Sequence, residues 1–321
     1  MAVAGPLRIG VIFPGQGSQS VGMGGDIAAA YPAAADLFAR ASRILKYDVL
    51  QLTQEGPEEK LRETRYSQPA IFVTNCALYA AVGEALRPVV GAGHSFGELC
   101  SLTLADGIDF EAAVGLVHQR AVAMQAAADR AAGTMSAVLG LEPESLRAIV
   151  ESVSREGLGR VQLANFNAPG QIVISGDLSA VRVAGERAID AGAKRIIPLN
   201  VSGAWHSDLM LPAREAFEPH VRSAPFRLPK FTVISNVDAR PYRDVATIVD
   251  HVVRSVTDEV LWHQTALRLL EERLDLIVEF GASAVLTPLV KRLPGAPRTL
   301  HVGDASGVKR LLAMLTQYAP A

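Results

Sequence analysis

The strongest constraint on the fold is a serine between glycines where an apolar stretch meets a helical pattern. Residues 93–97 read GHSFG, a G-x-S-x-G pattern centred on Ser95, between a predicted strand at Pro88–Ala92 and a predicted helix at Glu98–Ala105. A serine on such a sharp turn has a strained backbone, and only flanking glycines let the neighbouring chain approach so closely. The pattern predicts a serine exposed at the carboxyl edge of a sheet, near helix N-terminal amides. An ordinary glycine-rich turn with a serine at the helix N-cap is the alternative.

The same strand, turn and helix unit recurs along the chain, which is typical of an α/β fold with a largely parallel sheet. The first predicted strand is Arg8–Phe13, preceded by a short N-terminal tail. The other predicted elements of this part are Ala30–Leu45, Pro69–Leu86, Phe110–Ala128, Phe231–Asn236, Val245–Ser255, Thr265–Glu272, Leu276–Phe280 and Ser306–Tyr318.

The middle of the chain follows a different order, strand-helix-strand-strand-helix-strand, which matches a ferredoxin-like unit. Its predicted elements are Met135–Gly140, Glu142–Glu156, Arg160–Phe166, Gln171–Gly176, Leu178–Ala191 and Arg195–Leu199. We therefore predict a small ferredoxin-like domain at 133–202, inserted into a discontinuous catalytic domain formed by 1–132 and 203–321.

Composition narrows the class of protein. The 31 Lys and Arg residues nearly balance the 33 Asp and Glu residues, which disfavours nucleic acid or an anionic membrane as partner. The apolar runs are much shorter than a membrane span, and the N-terminus lacks the pattern of a signal peptide. Cys76 and Cys100 both have apolar neighbours and are predicted to be reduced core residues. We expect a globular protein of the cytoplasm.

A serine nucleophile needs a base at neutral pH, and the chain has seven histidines. His94 adjoins the serine and is expected to point away from it. The sequence favours His206, because it lies in a loop of small residues, 202–207, from which a side chain can reach a cleft. A loop histidine with purely structural hydrogen bonds is the alternative. The other candidates, His118, His251 and His263, are predicted at the surface or between helices.

A second glycine-rich segment, FPGQGSQ at 13–19, directly follows the first strand. It matches neither the dinucleotide fingerprint G-x-G-x-x-G nor the phosphate loop G-x-x-x-x-G-K-[ST]. A loop of small residues beside the nucleophile can instead supply a backbone N–H to an oxyanion.

Five segments occur in one order and are together highly specific: FPGQGSQ at 13–19, GHSFGE at 93–98, Arg120 followed by Met124-Gln125, NFNAPGQIVISG at 165–176, and AWHS at 204–207. In this combination the chain resembles the malonyl-CoA:acyl carrier protein transacylase family, which includes the acyltransferase domains of polyketide synthases. The resemblance runs from about Leu7 to Leu293. It implies an α/β-hydrolase-like large domain with a ferredoxin-like small domain.

The resemblance also assigns catalytic roles. Ser95 matches the nucleophile that takes the acyl group from coenzyme A as an ester. His206 matches the general base of a Ser–His dyad, which in the family is oriented by backbone carbonyl oxygens and not by a carboxylate. Gln16 and Phe96 match the positions whose backbone N–H groups form the oxyanion hole.

The substrate-binding residues implied by the resemblance are Arg120, Trp205 and Asn167. Arg120 matches the arginine that binds the free carboxylate of the malonyl unit. In related polyketide acyltransferases a large aromatic residue before the histidine accompanies malonyl, and a small one accompanies methylmalonyl. Trp205 and Phe96 are both bulky, so we expect malonyl to be preferred over methylmalonyl.

The implied partners are malonyl-CoA and an acyl carrier protein, with no cofactor and no metal. Both deliver a phosphopantetheine arm to the same serine, so we expect one shared entrance. Carrier proteins of these pathways are acidic, and Lys194-Arg195 and Lys291-Arg292 are the candidate contacts. Solvated surface charge is the alternative for both pairs.

Three departures from the family pattern occur. Leu99-Cys100 stands where a tyrosine is usual, and Ala121 follows the arginine where glycine is common. The segment 279–286 reads EFGASAVL in place of EVGPGKVL, and we expect this loop to help orient the histidine.

Two other classes of function compete with acyl transfer. A serine hydrolase of esters or of acyl carrier protein is the first, but the order Ser…Asp…His of α/β-hydrolases puts histidine near the chain end, and no HGGG-type motif precedes Ser95. A transferase that has become a carrier-protein hydrolase would share every motif. The second is a non-catalytic module that binds carrier protein, which the presence of Ser95, His206 and Arg120 disfavours.

Overall fold

The computed structural model describes residues 7–317. The predicted N-terminal tail, the last residue of the predicted helix Ser306–Tyr318 and the outer ends of the predicted large domain lie outside these residues. Within them, the fold is mixed α/β with two separate sheets.

The larger sheet has five strands, all parallel. They are β1 (Ile9–Phe13), β2 (Pro88–Gly93), β7 (Thr232–Ile234), β8 (Leu276–Phe280) and β9 (Arg298–Val302), in the spatial order β7-β2-β1-β8-β9. Every residue of β1 and β8 is buried. Continuous apolar strands of this kind are expected where helices cover both faces of a parallel sheet.

The helices associated with this sheet hold most of the core. They are α1 (Gly25–Ala30), α2 (Pro32–Leu45), α3 (Val49–Glu55), α4 (Glu58–Arg62), α5 (Thr64–Val82), α6 (Gly97–Leu104), α7 (Phe110–Arg130), α10 (Leu211–Ser223), α11 (Val245–Arg254), α12 (Trp262–Glu271), α13 (Thr287–Val290) and α14 (Ala305–Thr316). Helix α5 is buried on nearly all sides, as its apolar sequence predicts.

The smaller sheet has four antiparallel strands: β3 (Gly133–Leu139), β4 (Val161–Ala168), β5 (Gln171–Asp177) and β6 (Arg195–Pro198), in the order β4-β5-β3-β6. Helices α8 (Pro143–Arg155) and α9 (Leu178–Asp190) alternate with these strands along the chain. Leu146, Val150, Ile174 and Val181 belong to a hydrophobic cluster of this region's own. The chain order of elements agrees with the prediction from sequence.

The parallel sheet brings distant loops together. Strands β1, β2 and β7 are neighbours and run in the same direction, so the loops after Phe13, Gly93 and Ile234 emerge at one edge. Ligands of open α/β sheets bind outside the carboxyl ends of the strands. Both glycine-rich segments found in the sequence therefore meet at the edge where a site is expected.

Several element boundaries differ from the predictions. The helix expected at Ala30–Leu45 begins at Pro32, because Tyr31 has an extended backbone, and a separate helix that was not predicted, α1, precedes it. The helix expected from Pro69 begins at Thr64 and ends at Val82, where Gly83 has a positive φ of 62°. The short helices α3, α4 and α13, helix α10 and strand β9 were not predicted.

Candidate active site

Ser95 lies on the tight turn between β2 and α6 with a positive φ of 54°. A non-glycine residue there costs about 1–3 kcal/mol and persists only where its surroundings fix it. A Cβ atom on Gly93 would collide with the backbone of Gly97, and one on Gly97 would collide with the carbonyl oxygen of Phe13. The flanking glycines are therefore required by close backbone approach, as the sequence pattern predicts.

The serine contacts the predicted histidine. Ser95 Oγ lies 2.9 Å from Nε2 of His206, and Nδ1 of His206 lies 3.1 Å from the backbone carbonyl oxygen of Asp258. A carbonyl only accepts, so Nδ1 carries the proton and Nε2 is left to accept from the serine hydroxyl. The side chain of Asp258 has other partners, among them Arg254. The dyad thus contains no carboxylate.

Burial, together with the charge of Arg120 and the nearby His94, lowers the pKa of His206 to about 3. The imidazole is consequently neutral at physiological pH, the form in which it accepts a proton. His206 has a positive φ of 56°, like the serine it contacts. Both halves of the dyad therefore occupy a backbone conformation that is rare outside glycine.

The orienting contact to His206 comes from Asp258 and not from the loop at 279–286, which corrects the expectation from sequence. That loop is held differently: the buried carboxylate of Glu279 accepts hydrogen bonds from the backbone N–H groups of Val285, Leu286 and Thr287. Val285 and Leu286 then form part of the cleft wall.

Two backbone donors beside the serine are free. Among residues 7–317, no hydrogen bond is formed by the backbone N–H of Gln16 or by that of Phe96. The N–H of Ser95, in contrast, is occupied by Oδ1 of Asn236 at 3.1 Å. Gly15 lies so close to the carbonyl of His94 that a Cβ atom would not fit, so the first loop lies directly against the turn. The geometry suits two convergent donors to an oxyanion.

The side chain of Phe96 does not line the cleft. It is only 2% exposed, and the guanidinium of Arg120 lies over its ring, 6.0 Å from the centroid. The expectation that its bulk limits the acyl group is therefore wrong, because the side chain turns into the core below the nucleophile. Of the two bulky residues considered, only Trp205 borders the cavity.

Arg120 is a buried cation in this site, only 1% exposed, on helix α7. Its Nη1 donates to Oε1 of Gln68 at 2.9 Å, and its Nη2 lies 3.4 Å from both Ser95 Oγ and the carbonyl oxygen of Ser255. Its Nε has no partner, and in the described part of the chain no carboxylate lies within 4.0 Å of it. Burial lowers the pKa of Arg120 to about 10, opposed by the charge of Glu98.

A guanidinium in this state fits an anionic ligand. Removing a charge from water without a counter-ion is expensive, and a carboxylate that accepts two parallel N–H bonds offsets that cost. Arg120 would therefore stabilise a negatively charged group bound beside the serine hydroxyl.

Three buried residues behind the serine were not assigned a role from the sequence. Nδ2 of Asn236 donates to the carbonyl of Ser95 at 3.3 Å, so this side chain holds both backbone polar groups of the nucleophile. The carboxylate of Glu98 accepts from the backbone N–H of Asn236 at 2.5 Å, from its Nδ2, and from the hydroxyl of Tyr242. Burial raises the pKa of Glu98, while the hydrogen bonds of Tyr242 and Asn236 oppose that rise. The only sequence signal was the position of Glu98 in the GHSFGE motif.

The cleft in front of the serine has a volume of about 250 Å³ and lies between the two sheets. Its opposite wall comes from the antiparallel region: Met135, Asn165, Val173 and Leu199. Asn167 also borders it, with Oδ1 2.9 Å from Nε2 of His94. A second cavity of about 530 Å³ shares Gln16, Leu199 and Val201 with the first, so the space continues beyond the nucleophile.

Both predicted basic pairs lie near Gln171, a residue of the cleft wall. Gln171 lines the cleft, and its Oε1 accepts from Nη1 of Arg292 at 3.1 Å. The Lys194-Arg195 pair lies at the start of β6, and the side chain of Lys194 lies against Gly140. The backbone N–H of Gly140 donates to the carbonyl oxygen of Gly170, the residue before Gln171. Both pairs are exposed.

The remaining histidines have structural partners or lie away from the serine. His251 is buried, with Nδ1 2.9 Å from Ser235 Oγ, while His118 and His263 are partly buried on helices. Within 7–317, no three His, Cys, Asp or Glu side chains are placed to hold a metal ion. No helix of the described chain is long and apolar enough to cross a membrane.

Comparison with known proteins gives one consistent result. A family model described as "Acyl transferase domain" matches residues 11–299. A malonyl CoA-acyl carrier protein transacylase of Salmonella typhimurium is 40% identical over 308 residues, covering 95% of this chain and 98% of the relative.

Solved structures agree. FabD from Acinetobacter baumannii superposes with a TM-score of 0.91 at 33% identity, covering 98% of this chain and 100% of that one. A structure described as a type II polyketide synthase acyl carrier protein in complex with its malonyl-transacylase gives a TM-score of 0.91 at 36% identity, covering 96% of this chain and 99% of that one.

Proposed function

Because this chain belongs to the acyl transferase family, among the malonyl-CoA:acyl carrier protein transacylases, we propose that its site transfers malonyl from malonyl-CoA to the phosphopantetheine thiol of an acyl carrier protein. The product supplies extender units for fatty acid or polyketide synthesis. One observation carries the assignment: a buried arginine with no carboxylate within 4.0 Å among residues 7–317 lies 3.4 Å from a serine hydroxyl that is 2.9 Å from a neutral histidine.

The first half of the reaction loads the serine. Ser95 Oγ attacks the thioester carbonyl of malonyl-CoA as its proton passes to Nε2 of His206. The N–H groups of Gln16 and Phe96 bind the oxyanion of the tetrahedral intermediate. Collapse of the intermediate breaks the C–S bond, and the departing coenzyme A sulfur takes the proton from His206. A malonyl ester of Ser95 remains.

The second half reverses these steps with another thiol. The carrier's pantetheine thiol gives its proton to His206 and attacks the ester carbonyl. Breakdown of the second tetrahedral intermediate returns the proton to Ser95 Oγ and releases malonyl carrier protein. Coenzyme A and the carrier protein present the same phosphopantetheine thiol, so in this proposal one Ser–His dyad catalyses both half-reactions without a cofactor or a metal.

Arg120 supplies the selection for malonyl in this proposal. Its guanidinium binds the free carboxylate of the acyl group, a geometry that lysine does not reproduce. Trp205 limits the space for an α-substituent, and Asn167 contributes to the cleft wall that contacts the substrate.

The carrier protein would dock at the mouth of the cleft near Lys194-Arg195 and Lys291-Arg292, and coenzyme A would use the same mouth. Support comes from the exposure of both pairs beside Gln171, which lines the cleft. Acidic carriers are attracted to such a local cluster even though the whole chain is nearly neutral.

The domain division follows from the same proposal. We assign 133–202 to a ferredoxin-like small domain, supported by its separate core and its antiparallel strand order, and 1–132 with 203–321 to an α/β-hydrolase-like catalytic domain. The site lies between the two. A cytoplasmic location remains a prediction, supported by the two free, buried cysteines.

Intact-mass analysis with malonyl-CoA tests the function. The wild-type chain should gain one malonyl unit, and Ser95→Ala should gain none. Addition of a holo acyl carrier protein should clear the adduct and yield malonyl carrier protein. Stoichiometric labelling of the alanine variant would disprove the nucleophile, and release of free malonate without malonyl carrier protein would identify a hydrolase.

A further inference from the structure

One side chain holds both backbone polar groups of the nucleophile. Asn236, which follows β7, accepts from the N–H of Ser95 through Oδ1 and donates to its carbonyl through Nδ2. Asn236 is only 1% exposed. The residue it holds has a left-handed backbone that is unfavourable for serine, so these two bonds act where external support is needed.

Glu98 determines which way the Asn236 amide faces. An amide has a donor end and an acceptor end of nearly equal shape, whereas an ionised carboxylate only accepts. With Glu98 accepting from Nδ2, the Oδ1 end must face the N–H of Ser95. Rotation of the amide by half a turn would place Oδ1 against the carboxylate and Nδ2 against the serine N–H.

This arrangement also decides which amide of the turn faces the substrate. The N–H of Ser95 is occupied by Asn236, and the next N–H, that of Phe96, is free. If the amide of Asn236 were reversed, the Ser95 N–H would lose its acceptor and the peptide planes around the serine would be free to rotate. The Phe96 N–H and the Ser95 hydroxyl would then both be displaced from their positions in the site.

A purely structural role does not require a carboxylate here. Burying a charge is costly, and a neutral side chain of similar size would avoid that cost. Glu98 is 3% exposed, and its oxygens are satisfied by Tyr242 and Asn236. Its acceptor-only character is what a glutamine or an apolar residue would lose.

Resting on the proposed acyl transfer, we propose that Glu98 and Asn236 are positioning residues: Glu98 fixes the amide orientation of Asn236, and Asn236 holds Ser95 in the conformation that aligns its hydroxyl and the Phe96 N–H with the thioester. Neither residue touches substrate in this scheme. Both act through the backbone of Ser95.

The test compares acylation with binding in the full chain. The variants are Asn236→Asp, Glu98→Gln, their combination, and Tyr242→Phe as a matched control that removes a donor only from the far oxygen of Glu98. The rate of Ser95 malonylation is followed by quenched-flow intact mass. The dissociation constant of malonyl-CoA is measured for each variant in the Ser95→Ala background, where no chemistry occurs.

Asn236→Asp places two carboxylates together, and we expect it to slow acylation by about a hundredfold, the scale of a small misplacement of reacting groups. Malonyl-CoA binding should stay within about twofold. Adding Glu98→Gln places an amide donor where the second carboxylate stood, so the double variant should be at least about tenfold faster than Asn236→Asp alone. Tyr242→Phe should lower the melting temperature, and it should slow acylation much less than Asn236→Asp does.

Three results would overturn the proposal: wild-type acylation rates in folded Asn236→Asp, equal losses of binding and rate, or a double variant no faster than Asn236→Asp. If Asn236→Asp does not fold, Glu98→Gln decides, with slower acylation at unchanged binding supporting the proposal and an unchanged rate refuting it. Absence of malonylation in the wild type would instead refute the proposed function, so the two failures are distinguishable.

Discussion

The two walls of the cleft are built differently. On the side of the parallel sheet, Ser95, Arg120 and the residues behind them are held by buried hydrogen bonds, several of them to charged groups. On the side of the antiparallel sheet, the wall consists of apolar side chains and neutral amides such as Met135 and Asn165. The wall on the side of the parallel sheet, here called the chemical wall, therefore supplies the reacting groups. The wall on the side of the antiparallel sheet supplies the shape of the cleft. Substitutions on the two walls should therefore fail in different ways.

The largest effect is expected on the chemical wall, at the base. His206→Ala should slow acylation of Ser95 by at least about a hundredfold, because the hydroxyl proton loses its acceptor. In the Ser95→Ala background, adding His206→Ala should leave the dissociation constant of malonyl-CoA unchanged. An unaltered acylation rate would transfer the role of base to another histidine.

The same residue predicts the pH dependence of the wild type. The pKa of His206 is lowered to about 3, so the base stays neutral, and active, at every pH above that value. It is lost only as the pH falls through about 3. The kcat/KM for malonyl-CoA should therefore show no acid limb near pH 6.5, where an ordinary histidine titrates. A limb at that pH would show that the histidine is solvated in the free enzyme.

The next largest effect concerns the charge on the chemical wall. Arg120→Ala should reduce the preference for malonyl-CoA over acetyl-CoA by about a hundredfold, because a neutral acyl group no longer leaves a buried cation unpaired. Competition between the two thioesters measures this ratio. Arg130, exposed at the end of the same helix, is the matched control, and Arg130→Ala should leave the ratio unchanged. Malonyl preference retained in Arg120→Ala would contradict the assignment.

A smaller effect is expected where the two walls meet. Trp205 lies against Gly203 and borders the cavity. Trp205→Ala should raise the relative rate with methylmalonyl-CoA by about tenfold, the usual scale for one methyl group in a pocket, with acylation by malonyl-CoA still measurable. Methylmalonyl preferred by the wild type, or no gain in the variant, would remove Trp205 from the specificity determinants.

The smallest effect lies outside both walls. Charge reversal at the mouth, Lys291→Glu or Arg195→Glu, should weaken transfer to the carrier protein by several-fold at low salt and less at high salt, because exposed charges are screened. Loading from malonyl-CoA provides an internal reference, and Lys309→Glu on the exposed side of α14 is the control. Equal losses at both salt concentrations would exclude that pair from the carrier interface.

Local sequence patterns predicted much of the fold and both residues of the dyad. The G-x-S-x-G turn predicted Ser95 in its strand-to-helix context, and the βα alternation predicted the parallel sheet. Helix α10 was missed because Pro212 and Pro219 interrupt its pattern, although the first lies in the opening turn, where proline is tolerated. Strand β9 was missed because only Val302 in it is buried.

The orienting contacts of the site could not be predicted because they depend on backbone atoms or on distant pairing. Asp258 contacts His206 through its carbonyl oxygen, a group that every residue has, so its identity carries no signal. Asn236 reaches Ser95 across 141 positions in the chain, which only the adjacency of β2 and β7 brings together. Gln68 likewise meets Arg120 through the contact of two helices.

The wide separation of these partners affects how the protein is made. Synthesis proceeds from the N-terminus, so the turn bearing Ser95 is available long before His206, 111 residues later, and before Asn236, later still. Contacts between such distant segments form late, because chain closure over many residues opposes them. A nascent chain therefore carries a serine that is neither activated nor held in its strained conformation. The Ser–His dyad is complete only when the second half of the molecule has folded.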